Sequence, residues 1–115
     1  DAIARFVAAG VVVAVGHTSA DAATARAAFD AGATLLTHAC NAMPGIHHRA
    51  PGPIAVAVDD ESVTLELILD GVHVDPAVAR LLLRAAPGRV ALVTDAMAAA
   101  GCGDGDYRLG SLEVT

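Results

Sequence analysis

The sequence predicts an α/β fold in which helices alternate with the strands of a parallel sheet. Short apolar runs rich in Val and Leu alternate along the chain with Ala- and Leu-rich stretches of helical period. Hydrophobic residues make up 55% of the sequence, whereas aromatic residues make up only 3%. The core is therefore expected to consist of Ala, Val, Leu and Ile, whose small volumes suit helices packed on a sheet.

Four of the apolar runs are predicted to be parallel strands. They comprise residues 11–15, 33–37, 63–69 and 89–94. The helix after the first strand is expected to start at a cap formed by Thr18 or Ser19, with Asp21 in its first turn. Gly32 is expected to end this helix, because glycine readily adopts the conformation that follows a helix.

The connection after the second strand is longer than the others. Residues 39–53 are rich in Pro and Gly, which indicates a long loop of defined shape. A short amphipathic piece is predicted at residues 54–58. The last helix is predicted to begin at Asp75 and Pro76, since proline is favoured in the first turn.

The pattern changes near the end of the chain. Residues 101–106 form a Gly-rich polar turn region, and residues 107–115 have the alternation of a single antiparallel strand. We therefore divide the sequence into an α/β part, residues 1–101, and a turn region with the start of a β segment, residues 102–115.

The length of the chain is small for this architecture. A complete barrel of eight strands and eight helices needs roughly 250 residues, whereas this chain has 115 and begins with Asp1 rather than Met. We expect an incomplete segment of a larger domain.

Composition makes several classes of partner improbable. The net charge is −6, with only seven Lys and Arg residues, which disfavours nucleic acid. The apolar runs are far shorter than the roughly 18 residues that span a bilayer. No membrane partner is expected, and a soluble cytoplasmic location is the default. Cys40 and Cys102 lack a CxxC spacing, so they are predicted to be buried free thiols.

Four polar residues follow the four predicted strands, one after each. They are His17, His38, His73 and Asp95. Because parallel strands end at the same edge of a sheet, these residues are expected to meet at one mouth. Taken singly, each histidine could be a loop or capping residue, and Asp95 could be a helix N-cap. Their joint position favours a common active site.

Imidazole and carboxylate groups in this arrangement suit a catalytic metal. A catalytic zinc typically takes three protein ligands and leaves one position open for water. His17 and His38 could supply two ligands. Asp95 could be a further ligand, or it could be the base that takes a proton from water.

The motifs around these residues resemble those of N-acetylglucosamine-6-phosphate deacetylases. The segments are GHT at residues 16–18, THACNAMP at residues 37–44, DGVHVD at residues 70–75 and LVTDA at residues 92–96. Each of the shorter segments is unspecific alone, but their order and spacing together are specific. The likeness runs from residue 11 to about residue 101.

The resemblance implies the last four βα units of a (β/α)8 TIM-type barrel of the amidohydrolase superfamily. It implies that His17 and His38 hold a divalent metal, usually zinc, and that Asp95 is the catalytic acid and base. His73 is similar to a histidine that contacts the substrate near the scissile acetamide. The family's acidic metal ligand lies in an earlier strand, to which nothing in this chain corresponds. The complete enzyme is expected to be a homodimer.

The resemblance also implies a phosphate site in the long loop, formed by the backbone of Asn41 and Ala42 and the side chain of Arg49. The residue types agree, because an acidic protein needs a local cation to bind a phosphate monoester. The neighbouring His47 and His48 are interpreted as solvated loop residues.

The predicted function is hydrolysis of N-acetylglucosamine 6-phosphate to glucosamine 6-phosphate and acetate. One alternative is an amidohydrolase that acts on a cyclic amide or another N-acyl sugar, because the barrel alone fixes no substrate. The other is a non-catalytic barrel fragment whose open sheet edges associate with another copy or with a complementary half.

Overall fold

The computed structural model describes residues 2–115, which form a four-stranded parallel sheet, four helices and a small hairpin. The elements in chain order are α1 (Ala2–Ala8), β1 (Ala14–Val15), α2 (Ala22–Asp30), β2 (Leu35–Leu36), α3 (Gly52–Asp59), β3 (Thr64–Ile68), α4 (Pro76–Ala85), β4 (Val90–Val93), β5 (Tyr107–Leu109) and β6 (Leu112–Val114). The α/β class and the four predicted parallel strands are confirmed. Helix α1 was not predicted.

The strands lie in the order in which they occur along the chain, β1-β2-β3-β4, and every neighbouring pair is parallel. Strands β1 and β2 are shorter than predicted, with two residues each. Backbone hydrogen bonds continue the pairing beyond them, from Thr34 N–H to the Val13 carbonyl at 3.1 Å and from Thr37 N–H to the Val15 carbonyl at 2.8 Å. The sheet therefore holds the segments that lead out of β1 and β2 as well.

The core lies between the sheet and the helices. Leu65 and Leu67 of β3 are fully buried, and they share one cluster with Phe29 of α2, Ile54 of α3 and Leu82 of α4. Alternate residues of a strand point to the same face, so the helices cover this face of β3. The expected aliphatic core is confirmed, with Phe29 as its aromatic member.

Helix α2 begins later than the sequence predicted. Asp21, in extended conformation, is its N-cap and accepts a hydrogen bond from Thr24 N–H at 2.8 Å. The prediction of Thr18 or Ser19 as the cap is wrong, because the Thr18 hydroxyl accepts instead from Ala20 N–H within the preceding loop. The predicted start of α4 is confirmed, with Asp75 as its N-cap.

Arg89, at the entry to β4, secures the end of α3. Its guanidinium donates to four carbonyl oxygens, those of Ala57, Val58, Asp60 and Val63. The last carbonyls of a helix have no partner within the helix, and a cation there also interacts favourably with the helix dipole. One side chain thus fastens α3 and the turn after it to the sheet.

Two predictions for the rest of the chain need correction. Residues 107–115 form a two-stranded antiparallel hairpin rather than one strand, because Gly110 adopts a φ of +62° and turns the chain between β5 and β6. The two cysteines are free, but Cys40 is half-buried and Cys102 is exposed. No helix among residues 2–115 is long and apolar enough to cross a membrane.

Candidate functional site

The four residues singled out in the sequence all follow the carboxyl ends of parallel strands. His17 follows β1, His38 follows β2, His73 lies in the turn after β3, and Asp95 follows β4. Because all four strands run in the same direction, these residues lie at the same edge of the sheet. In α/β proteins this edge is where ligands bind.

His17 and His38 are in direct contact. Their ring centroids are 4.6 Å apart, with the planes at 74°. His38 is 4% exposed, and its Nδ1 is a buried atom without a hydrogen-bond partner among the described residues. A buried polar atom without a partner costs free energy unless a ligand satisfies it. The pair therefore fits a divalent metal, for which neutral imidazole is a common ligand.

The close approach of β1 and β2 brings these two rings together. A Cβ atom on Gly16 would lie 2.8 Å from the Cβ of Thr37, a distance that real side chains do not reach. The loops are joined further along, where Thr18 N–H donates to the Ala42 carbonyl at 3.0 Å. As long as threonine occupies position 37, this close approach of the strands requires glycine at position 16.

Three of the four candidate residues have a left-handed backbone. The φ angles are +41° at His17, +31° at His38 and +51° at Asp95. A residue other than glycine rarely adopts such angles, and each costs on the order of 1–3 kcal/mol. Strained residues of this kind concentrate at functional sites, which supports the interpretation of these positions.

The described residues do not by themselves make a complete metal site. Among residues 2–115, no group of three or more His, Cys, Asp or Glu side chains is arranged to hold a metal ion. Asp95 is exposed and makes no side-chain hydrogen bond or ion pair within the described part of the chain. The two imidazoles could therefore supply only part of a ligand set, and Asp95 lies at the same edge of the sheet.

His73 has a carboxylate partner that the sequence interpretation missed. Its Nδ1 lies 2.7 Å from Oδ2 of Asp70, and both side chains are nearly half exposed. The other carboxylate oxygen, Oδ1, accepts from Val72 N–H and His73 N–H. The signal in the sequence is an Asp three residues before a His in a glycine-containing turn, which places both side chains on one side of the turn.

The predicted phosphate residues lie in the loop between β2 and α3. Arg49 is exposed, and its Nη1 lies 2.8 Å from Nε2 of His48. Its backbone N–H donates to Nδ1 of His47 at 3.2 Å. His47 and His48 are exposed loop residues, as expected, and both contact Arg49.

The groove beside Arg49 has a volume of about 470 Å³. It is lined by Arg49 and by the residues that lead into α2 and α3, among them Ser19, Asp21 and Pro51. None of the four strand-end residues lines it. Arg49 is therefore open to a ligand, but no described contact joins it to the histidine pair.

Asn41 is engaged within its own loop. Its backbone N–H donates to the His38 carbonyl at 3.0 Å, and its side-chain amide lies within hydrogen-bond distance of the same carbonyl and of the Ala39 carbonyl. Ala42 has a left-handed φ of +51°. The Asn41 amide is thus committed to the turn that carries His38, which weighs against its part in a backbone phosphate site.

Comparison with known proteins finds relatives that are deacetylases of N-acetylated sugar phosphates. No family model matches the chain. It is 49% identical over 104 residues to N-acetylgalactosamine-6-phosphate deacetylase of Escherichia coli O157:H7, covering 90% of this chain and 28% of the relative. It is 40% identical over 119 residues to N-acetylglucosamine-6-phosphate deacetylase of Bos taurus, covering 99% of this chain and 29% of the relative.

A solved structure is similar to this chain in both sequence and fold. It is a mutant N-acetyl-D-glucosamine-6-phosphate deacetylase from Mycobacterium smegmatis in complex with N-acetyl-D-glucosamine-6-phosphate. The identity is 54% and the TM-score 0.93, over 97% of this chain and 30% of that one. The chain thus spans less than a third of the length of each of these three proteins.

Proposed function

We propose that this chain, which is homologous to a segment of N-acetylglucosamine-6-phosphate deacetylases, forms the last four βα units of their catalytic barrel. In a complete enzyme it would help to hydrolyse N-acetylglucosamine 6-phosphate to glucosamine 6-phosphate and acetate. The observation that carries this proposal is the contact between His17 and the buried His38 at the edge of the sheet that Asp95 shares.

His17 and His38 would hold a divalent metal, for which zinc is the first choice. When bound, a metal of this kind polarises a carbonyl oxygen and makes water acidic enough to act as a nucleophile at neutral pH. The third protein ligand would come from another part of the complete enzyme, since the described residues provide no group of three. The unpartnered Nδ1 of His38 supports this assignment.

Asp95 would move the proton in both halves of the reaction. As a carboxylate it takes a proton from the water that attacks the amide carbonyl, and it then returns this proton to the leaving amine. His73 would hold the acetamide by a hydrogen bond to its carbonyl oxygen. The exposure of Asp95 and His73 at the sheet edge supports these roles, because both must meet a substrate.

Arg49 would bind the phosphate of the sugar. Its guanidinium is exposed, lines a groove and contacts His48, and its backbone N–H donates to the ring of His47. An arginine that is held in place loses less freedom when it binds an oxyanion by two parallel hydrogen bonds. This role would explain why the loop between β2 and α3 is long and has a defined shape.

The second candidate differs in the sugar. The relative from Escherichia coli is a deacetylase of N-acetylgalactosamine 6-phosphate and is 49% identical to this chain. The chemistry at the metal, at Asp95 and at His73 would be the same for this epimer. The choice between the two sugars would depend on residues that contact the sugar hydroxyls.

Substrate kinetics on a full-length enzyme that carries this segment test the proposal. We expect kcat/KM for N-acetylglucosamine 6-phosphate to exceed that for its C4 epimer and that for the unphosphorylated sugar. A preference for the epimer would support the second candidate. Equal rates with and without the phosphate would remove Arg49 from the site, and failure to deacetylate any N-acyl sugar would refute the proposal.

A further inference from the structure

We infer that Asp70 is a positioning residue for His73, which fixes the imidazole so that Nδ1 faces the carboxylate and Nε2 faces the substrate. This inference rests on the proposed function, in which His73 contacts the substrate. It assigns a role to a residue that touches neither the substrate nor the reacting atoms.

The carboxylate of Asp70 contacts both the backbone of the turn and the ring of His73. Oδ1 of Asp70 accepts from Val72 N–H at 2.9 Å and from His73 N–H at 2.9 Å. Oδ2 lies 2.7 Å from Nδ1 of His73. The backbone amides fix the carboxylate, and the carboxylate then fixes the ring. The pair is nearly half exposed, so its contribution to folding stability is small and its main effect is on orientation.

The protonation state of Asp70 decides which nitrogen of His73 carries the proton. The backbone N–H groups of His73 and Val72, and then the His73 ring, hold the pKa of the Asp70 carboxyl well below its usual range. The carboxylate is therefore ionised at any pH at which the protein works, and an ionised carboxylate can only accept hydrogen bonds. Nδ1 of His73 must be the donor, which leaves Nε2 for the substrate.

This tautomer determines what His73 can do to an amide. In the neutral ring, Nε2 has a lone pair and accepts a hydrogen bond from a hydroxyl or an N–H group of the substrate. With Nδ1 as the donor to Asp70, Nε2 can donate to a carbonyl oxygen only when both ring nitrogens carry a proton. Polarisation of the scissile carbonyl by His73 therefore requires the imidazolium form.

A suitable replacement of Asp70 can disturb the orientation of the His73 ring without disturbing the structure of the turn. Asp70→Asn keeps an oxygen that can accept from the two backbone amides, but it removes the ionised oxygen that faces the ring. The matched control is Asp75→Asn, which changes a neighbouring exposed carboxylate that caps α4 and makes no hydrogen bond to His73 among the described residues. Asparagine is as good an N-cap as aspartate, so the control preserves the helix start.

Kinetics of the full-length enzyme give the first readout. We expect Asp70→Asn to lower kcat by about 10- to 100-fold, by analogy with the loss found when the partner that orients a metal-ligating histidine is replaced. Asp75→Asn should stay within about twofold of the parent. In a His73→Ala background, Asp70→Asn should have little further effect, because Asp70 acts through the ring. An equal loss in both backgrounds would overturn the inference.

The second readout does not depend on activity. In protein labelled with ¹⁵N-histidine, we expect the imidazole shifts of the parent to report a protonated Nδ1 on His73, and Asp70→Asn to yield a mixture of tautomers. Unchanged shifts in the variant would refute the positioning role. If the shifts change as expected but no N-acyl sugar is deacetylated, the positioning role stands and the proposed function fails.

Discussion

At the scale of single residues, Asp95 is the group whose role has the most distinct consequences. Its backbone is left-handed and its side chain is exposed at the edge that carries His17 and His38. A carboxylate there is suited either to carry a proton or to complete the metal site. A substitution that removes the carboxylate of Asp95 but keeps the shape of the side chain distinguishes these roles.

Asp95→Asn in a full-length enzyme is expected to retain metal and to lose turnover. General acid and base catalysis typically contributes about 10²- to 10⁴-fold, and a group that acts twice should fall near the upper end of that range. The measurement is kcat beside metal content from elemental analysis. If Asp95 is mainly a ligand, metal content falls as well and added zinc restores part of the rate. Full activity with full metal content would contradict both roles.

Arg49→Ala is expected to raise KM for the phosphorylated sugar far more than it lowers kcat. The loss of a charge-assisted contact to phosphate should raise KM by about 10- to 100-fold. The effect on kcat should be small, because the reacting amide lies elsewhere on the substrate. Arg84→Ala, which removes an exposed arginine in the last turn of α4, is the control. An unchanged KM for Arg49→Ala would transfer the phosphate role to another residue.

The candidate residues could be identified from the sequence because their types and their places after predicted strands are visible there. Their backbone angles could not, since a histidine or aspartate at positive φ leaves no pattern in the chain and glycine or asparagine would be expected. The DGVH segment indicates a site through its histidine, whereas the link between Asp70 and His73 depends on the geometry of the turn. The engagement of the Asn41 amide depends on how the turn closes, which composition does not reveal.

At the scale of helices and strands, Arg89 gives the clearest prediction. Replacement by Met keeps the aliphatic stem but removes donors to four carbonyl oxygens, those of Ala57, Val58, Asp60 and Val63. We expect Arg89→Met to lower the free energy of unfolding by about 2–3 kcal/mol, since hydrogen bonds from charged groups contribute more than neutral ones. Urea unfolding measures the change.

Arg84→Met is the control for the Arg89 variant, because Arg84 is exposed and its side chain makes no hydrogen bond to the backbone of another element within residues 2–115. It should change the stability by no more than about 0.5 kcal/mol, as is usual for surface positions. A loss of similar size in both variants would show that the four hydrogen bonds of Arg89 contribute nothing specific.

The number, order and direction of the strands in the parallel sheet could be predicted, because apolar runs and helical periods alternate regularly. The ends of elements could not be predicted as well. Asp21, Thr18 and Ser19 are all good N-caps, and only the path of the loop that carries His17 decides among them. The single strand predicted for residues 107–115 failed for a similar reason, since Gly110 can continue a strand or turn it.

At the scale of the whole molecule, the outer strands of the sheet are unprotected. Leu92 of β4 is 62% exposed although it pairs in register with the fully buried Leu67 of β3. At the other edge, Val12 before β1 is 73% exposed. Open edges with apolar side chains favour association with another chain.

The isolated chain is therefore expected to elute from a size-exclusion column as a species larger than a monomer, increasingly so at higher concentration. Leu92→Lys should shift it towards the monomer, because a charged residue on an edge strand opposes pairing. Ala27→Lys, on an exposed position of α2, is the control. A chain that stays monomeric at all concentrations would contradict this prediction. If that monomer also binds one zinc ion tightly, the result would favour a metal site that is complete within the chain.

The close approach of Gly16 and Thr37 also restricts how this segment can vary. The clash that a side chain at position 16 would create is with the Cβ of Thr37, so shortening Thr37 to serine or alanine would not relieve it. The two positions therefore obey an exclusion rule: as long as the strands keep this spacing, at least one of them must be glycine. A substitution at position 16 is therefore tolerated only after glycine has appeared at position 37. The order of the two substitutions thus decides whether the histidine pair is retained.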